Sequence, residues 1–234
     1  LFSALILFLL ASAAWPQGAD YKAIFGKDWA KAEQFIDENR SWMKQMAARY
    51  RVSYPVAAAV VFPELVRYSA IRDKVEITLL KALYISLGNQ YSDFSVGPFQ
   101  MKPSFAEYMC AAADTLRGRA LNRLKNKTGK DDIREFRRSI VSDLEQARSQ
   151  FIYLAAFIKL SESKYGLEKA GDPEKVRILS AAYNCGPDKS LERVKEMAGQ
   201  MYFNTKLYRT ENYSYSDISL YWYRNFTAST GAAH

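Results

Sequence analysis

Apolar side chains recur along most of the chain at steps of three and four residues, the spacing that gathers them on one face of an α-helix. Trp29, Phe35, Ile36, Met43, Met46 and Tyr50 form the first such series, and Asp28 precedes it as a cap, which predicts a helix running to about Arg51. Ser53 and Pro55 open a second helix, with the proline in the first turn, where its missing N–H does no harm. From Val56 to Phe62 this helix is apolar throughout, and its C-terminal end is expected at Glu64. Asp73 with Glu76 makes a capping-box pattern for a third helix that Gly88 ends, and Ser104 with Glu107 repeats the pattern for a fourth. A longer helical region starts near Asp132 and Glu135, breaks around Ser142 and Glu145, carries a buried run from Phe151 to Leu160 and stops at Gly166. Asp172 and Pro173 open a further helix that ends at Gly186, and a short one covers Lys189 to Met197. No stretch through the middle of the chain alternates as a strand does, so the fold class is mainly α with little or no β.

Two segments break this rhythm. Leu1 to Leu10 is almost wholly apolar and leads into the small residues Ala11 to Ala14, the form of a secretory signal peptide's apolar core and cleavage site, here truncated at its N-terminus. The segment is shorter than the ~20 apolar residues that span a bilayer. The expectation is export to the periplasm or cell envelope, with residues 15–234 as one domain. Near the other end, Tyr202, Tyr208, Tyr213, Tyr215, Tyr221, Trp222 and Tyr223 crowd into one tail, as a surface that stacks on sugars or as a packed lid or core.

The 234 residues are 49% apolar, enough for a full core, and 25% charged, which argues against a disordered or fibrous chain. A formal net charge of +8 suits an anionic envelope polymer. Nucleic acid would suit it as well, but no nucleic-acid motif accompanies the charge, and the basic residues between Arg117 and Arg148 read as a solvated helical face. The single histidine, His234, sits at the terminus, which leaves no basis for a zinc site, a Ser-His-Asp triad or a Cys-His pair. Cys110 and Cys185 are the only cysteines, and the sequence leaves open whether they pair. No cofactor is implied.

Three short segments carry the candidate chemistry. In VAAAVVFPELVRYS, residues 56 to 69, Glu64 follows an apolar run and Pro63, so desolvation should raise its pKa; a position at the helix C-terminus would push the same way. A carboxyl held protonated near neutral pH is what protonating a glycosidic oxygen needs. The competing expectation is a structural ion pair with Arg67. In SDFSVGPFQMKPS, residues 92 to 104, Gly97 and Pro98 force a turn, Gln100 offers an amide donor and acceptor, and Phe99 and Met101 flank it. Such a loop suits the N-acetyl and hydroxyl groups of an amino sugar. In LSAAYNCGP, residues 179 to 187, Ala181 and Ala182 permit close helix packing, Tyr183 can hydrogen-bond a buried carboxyl, and Asn184 lies near the helix end.

Their order, an apolar helix with Glu, a G-x-x-Q loop and then A-Y-N-x-G, resembles that of lytic transglycosylases of the lysozyme-like superfamily. Val52 and Pro55 match the entry to the catalytic helix, and Ser95, Gly97, Gln100, Met101 and Pro103 fall in the family's S-x-G-x-x-Q-x-x-P pattern. The resemblance covers residues 50 to 110 and 172 to 190. It implies a lysozyme-like bilobed helical domain with Glu64 as catalytic acid and base, Tyr183 orienting its carboxyl, and Ser95, Gly97, Phe99, Gln100, Met101 and Asn184 in the sugar-binding cleft. It further implies a monomer acting on peptidoglycan glycan strands without a metal. The sequence departs from the family at Leu65, where a serine is usual, and in the length of residues 70 to 90, an added helix that could wall the cleft or dock an envelope protein. Two alternatives stay open: a hydrolytic muramidase using Asp93, Asp73 or Glu76 to position water, and a glycan-binding envelope protein in which Glu64 is inert.

Overall fold

Val56 to Phe62 are each at most 1% exposed in the computed structural model, as expected of a helix apolar on all sides. The structure describes residues 19–70, 75–115, 122–127, 132–203 and 212–231; the readings of Leu1 to Ala14, Asp73, Tyr208 and His234 lie outside them. In chain order the described helices are α1 (Tyr21–Phe25), α2 (Lys27–Tyr50), α3 (Tyr54–Ala70), α4 (Val75–Leu87), α5 (Pro103–Ala112), α6 (Asn122–Lys125), α7 (Ile133–Leu144), α8 (Ala147–Tyr165), α9 (Asp172–Cys185), α10 (Leu191–Ala198) and α11 (Tyr215–Gly231). Two short strands, β1 (Met201–Phe203) and β2 (Tyr213–Ser214), pair antiparallel before α11. The fold is mainly α, and α3 is its axis, with α2, α9, α11 and α8 packed around it.

Local signals set most helix ends. Asp132 caps α7 by accepting from the Arg134 N–H, Ser190 caps α10 by accepting from Arg193, and Gly166 ends α8 in the left-handed conformation at φ 66°. The break between α7 and α8 falls at Glu145 and Gln146. Ser104, by contrast, does not cap α5, which begins one residue earlier at Pro103 with Lys102 in the cap position. The Ser104 N–H and hydroxyl both donate to Asp93, at 3.0 and 2.8 Å.

The expected end of the second helix at Glu64 is also corrected, because α3 continues to Ala70 with Pro63 inside it. Proline there deprives the Ala59 carbonyl of its helical donor. At the next carbonyl, Val60, the buried Tyr215 hydroxyl donates at 3.0 Å. Packing outweighs the local cost of the proline: the Phe62 ring lies edge-on to Trp29 at 4.6 Å and stacks on Trp222 at 4.9 Å, which in turn stacks on Phe226 at 4.8 Å. The aromatic tail is thus largely core, with Tyr215 and Trp222 buried and Tyr213, Tyr221 and Tyr223 packed against them; Tyr202 remains exposed.

The added helix, α4, packs on α7, where Arg137 donates to the Ile85 and Ser86 carbonyls at its C-terminal end. Among the described residues no helix is long and apolar enough to cross a membrane. Because Phe62 is fully buried between two tryptophan rings, Phe62→Ala should cost about 3–5 kcal/mol in urea unfolding, whereas Leu79→Ala on the exposed face of α4 should stay within about 0.5 kcal/mol.

Candidate functional site

Two residues of α3 beyond Phe62 and the aromatic stack, Glu64 reaches the wall of a cavity of about 610 Å³. Its residue exposure is 5%, and burial raises its pKa from the ordinary 4.5 to about 7, with the positive charges of Arg67 and Lys102 opposing the shift. The helix terminus plays no part, since Glu64 lies within α3. Arg67, one turn on, brings Nη1 to 3.3 and 3.2 Å from the two carboxylate oxygens, so the expected ion pair and the buried acid are one arrangement. The Arg67 guanidinium also lies over the Phe203 ring, 4.6 Å from its centroid.

The second segment forms a tight loop closed by reciprocal backbone bonds between Val96 and Met101, at 2.9 and 3.1 Å. Two positive φ angles make the reversal, 67° at Gly97 and 48° at Gln100. A Cβ on Gly97 would sit 2.5 Å from Gln150 Nε2 and 2.6 Å from the Leu144 carbonyl, so only glycine fits. Gly97 therefore serves the turn and does not line the cavity. Phe99 is likewise corrected as a cleft surface: it is fully buried and meets Phe35 edge-on at 6.2 Å. Ser95, Gln100 and Met101 do line the cavity, and the Gln100 amide is anchored by donating to the Gly97 carbonyl at 2.8 Å.

Gln150, which the sequence reading passed over, holds this loop from beneath. It is fully buried, donates through Nε2 to the Val96 and Leu144 carbonyls at 2.5 and 2.8 Å, and accepts from the Phe99 N–H at 3.0 Å. Its one sequence signal is a polar residue at the border of the apolar run from Phe151.

Tyr183 and Asn184, from α9, line the same cavity as Glu64 and Gln100. The expected orientation of the Glu64 carboxyl by Tyr183 is not what the geometry contains: the phenol donates to the Phe99 carbonyl at 2.8 Å and so ties α9 to the loop. Its ring is wedged edge-on between Phe105 and Phe157 at 5.3 and 5.5 Å. Burial, and then the nearby Glu64 charge, raise the Tyr183 pKa well above 10, so it stays a donor.

Two other carboxylates line the cavity, and both are engaged. Asp93 accepts from Ser104 and lies 3.8 Å from Lys102 Nζ, while Asp188 pairs with Lys189 at 2.7 Å, which lowers its pKa. Cys110 and Cys185 are free thiols, Cys110 pushed up to about 12 by burial and Cys185 in the cavity wall. Among the described residues no group of three or more His, Cys, Asp or Glu could hold a metal ion. The chain matches no protein-family model, no curated protein and no solved structure in these comparisons.

Glu64 keeps its proton to higher pH in the folded chain than in the unfolded one, so its contribution to stability should fall as pH rises from 4.5 to about 7 and level off above, a loss on the order of 3 kcal/mol. Glu64→Gln removes that loss, and the melting-temperature difference between variant and parent should grow in the variant's favour across this interval in thermal scans. Tyr183→Phe leaves the Phe99 carbonyl without its donor and should lower stability by about 1–3 kcal/mol, while the pH at which Glu64 titrates, followed by carboxyl NMR shifts, stays within about one unit.

Proposed function

We propose that this protein is a peptidoglycan lytic transglycosylase with Glu64 as its single acid and base. One observation carries the reading: a carboxyl buried to 5% exposure and raised to about 7 opens on a cavity that the glutamine loop and the Tyr183–Asn184 helix end also line. Three segments far apart in sequence meet where a sugar chain would have to lie.

Glu64 would protonate the leaving oxygen of the β-1,4 bond between N-acetylmuramic acid and N-acetylglucosamine. The C6 hydroxyl of the muramoyl sugar would then attack C1, return its proton to Glu64 and leave a 1,6-anhydro end. One carboxylate suffices because the substrate supplies the nucleophile, unlike the paired carboxylates of most glycosidases. The commitments of Asp93 and Asp188 to Ser104 and Lys189 favour this route over a hydrolytic one. Leu65 offers no hydroxyl, and those of Tyr183 and Tyr215 are spent on backbone carbonyls, so C6 attack would rely on Glu64. The same proposal includes a lysozyme-like fold and an exported protein working in the cell envelope.

Glu64→Gln should reduce release of soluble fragments from purified sacculi by about 100- to 10,000-fold with an unchanged circular dichroism spectrum. Mass spectrometry of the wild-type products should find 1,6-anhydromuramoyl ends. Reducing ends would transfer the reading to a muramidase, and undiminished cleavage by the variant would remove Glu64 from the chemistry.

A further inference from the structure

Arg67 lines the cavity and has more donors than its bond to Glu64 uses. Nη1 alone meets the Glu64 oxygens, and among the described residues neither Nη2 nor Nε of Arg67 has an acceptor. The guanidinium is held in place by the face of Phe203, 1% exposed and itself edge-on to Tyr215 at 5.6 Å. The side chain is 25% exposed and lines the cavity with Lys102, so the wall beside the buried acid has two cations. Of the other carboxylates in that wall, Asp93 faces Lys102 and Ser104 and Asp188 faces Lys189, which leaves the outer edge of Arg67 without an anion among the described residues. A planar guanidinium with two neighbouring N–H groups open to a cleft fits a carboxylate bidentately.

We propose that the Nε–Nη2 edge of Arg67 binds a carboxylate carried by the glycan beside the scissile bond, which makes Arg67 the residue that selects anionic over neutral amino-sugar chains. The inference rests on the reading of this cavity as a glycan-cleaving site and adds the chemical class of the preferred strand. Two sources in peptidoglycan have the required group: the lactyl carboxylate of a muramoyl sugar without its peptide, and the free carboxylates of a stem peptide where one is attached. With part of its charge taken up by the substrate, Arg67 stabilises the ionised Glu64 less, and the proton-bearing form is favoured when a strand is bound. Among the described residues, the remaining titratable groups facing Glu64 are Lys102, Tyr183 and Tyr215, and burial holds both phenols well above 10, so they keep their protons.

Binding to the Glu64→Gln protein, which removes turnover, provides the test. Three oligosaccharides of equal length are compared by calorimetry: a chitooligosaccharide without carboxylates, a peptide-free strand of alternating N-acetylmuramic acid and N-acetylglucosamine, and the same strand bearing stem peptides. At least one carboxylate-bearing strand should bind about tenfold or more tightly than the neutral one. Preference for the peptide-free strand assigns the lactyl group, and preference for the peptide-bearing strand assigns the stem. Arg67→Gln on that background should erase the preference while retaining chitooligosaccharide binding, which reports an intact cleft, and Arg67→Lys should keep part of it. Equal affinity for all three strands, or a preference that survives Arg67→Gln, overturns the inference and leaves glycan cleavage standing. Failure of every strand to bind, together with failure of the wild type to cleave sacculi, overturns both readings.

Discussion

The site depends on the cost of keeping a carboxyl out of water. Glu64 belongs to the helix that forms the centre of the core, and Val56 to Phe62 before it have almost no contact with solvent. Desolvation favours the neutral form, and Arg67 favours the charged one; the balance places the pKa at about 7. Were burial alone in force, the group would be an inert neutral acid at neutral pH; were the ion pair dominant, it would be a structural carboxylate. Poise between the two lets the carboxyl exchange its proton near neutral pH.

That poise needs a scaffold stiff enough to hold an unfavourable group, and the aromatic core supplies it. Trp29, Phe62, Trp222 and Phe226 interlock across α2, α3 and α11, and Tyr215 reaches from α11 to the Val60 carbonyl, one turn before Glu64. The proline at 63 weakens α3 at the point where its polar residues begin, and packing on every side keeps the helix continuous through it. Across the cavity, the loop holding Gln100 is fixed by backbone contacts: Gln150 bonds it from below and Tyr183 from the side through the Phe99 carbonyl. The two walls therefore share α9, and a shift of Tyr183 would move the loop relative to the acid.

Features decided within a few residues were legible in the sequence. The helix start at Asp132, the helix stop at Gly166 and the turn at Gly97 each follow from local stereochemistry. The resemblance implied that Glu64, Gln100, Tyr183 and Asn184 share a cleft, and the four line one cavity. What depends on distant partners was not legible. Pro63 and Glu64 read locally as a helix end, and only contacts from α2 and α11 keep α3 going. Phe99 reads as a cleft residue until Phe35 is seen against it, and Ser104 as a cap until Asp93 claims both of its donors. Gln150 had a faint signal and Tyr215 none beyond the density of aromatics around it.

The correction at Tyr183 changes how the acid is understood. A phenol donating to Glu64 would stabilise the carboxylate and lower its pKa, working against its proposed use as a proton donor. Spent on the Phe99 carbonyl, the same phenol leaves Glu64 with Arg67 as its one hydrogen-bonding partner among the described residues. Control of the proton thus falls to a residue that is itself a quarter exposed to the cavity, and hence to whatever occupies it. If the cavity takes an anionic strand as proposed, the site can respond to it without any movement of the backbone, because the strand need only compete for one guanidinium.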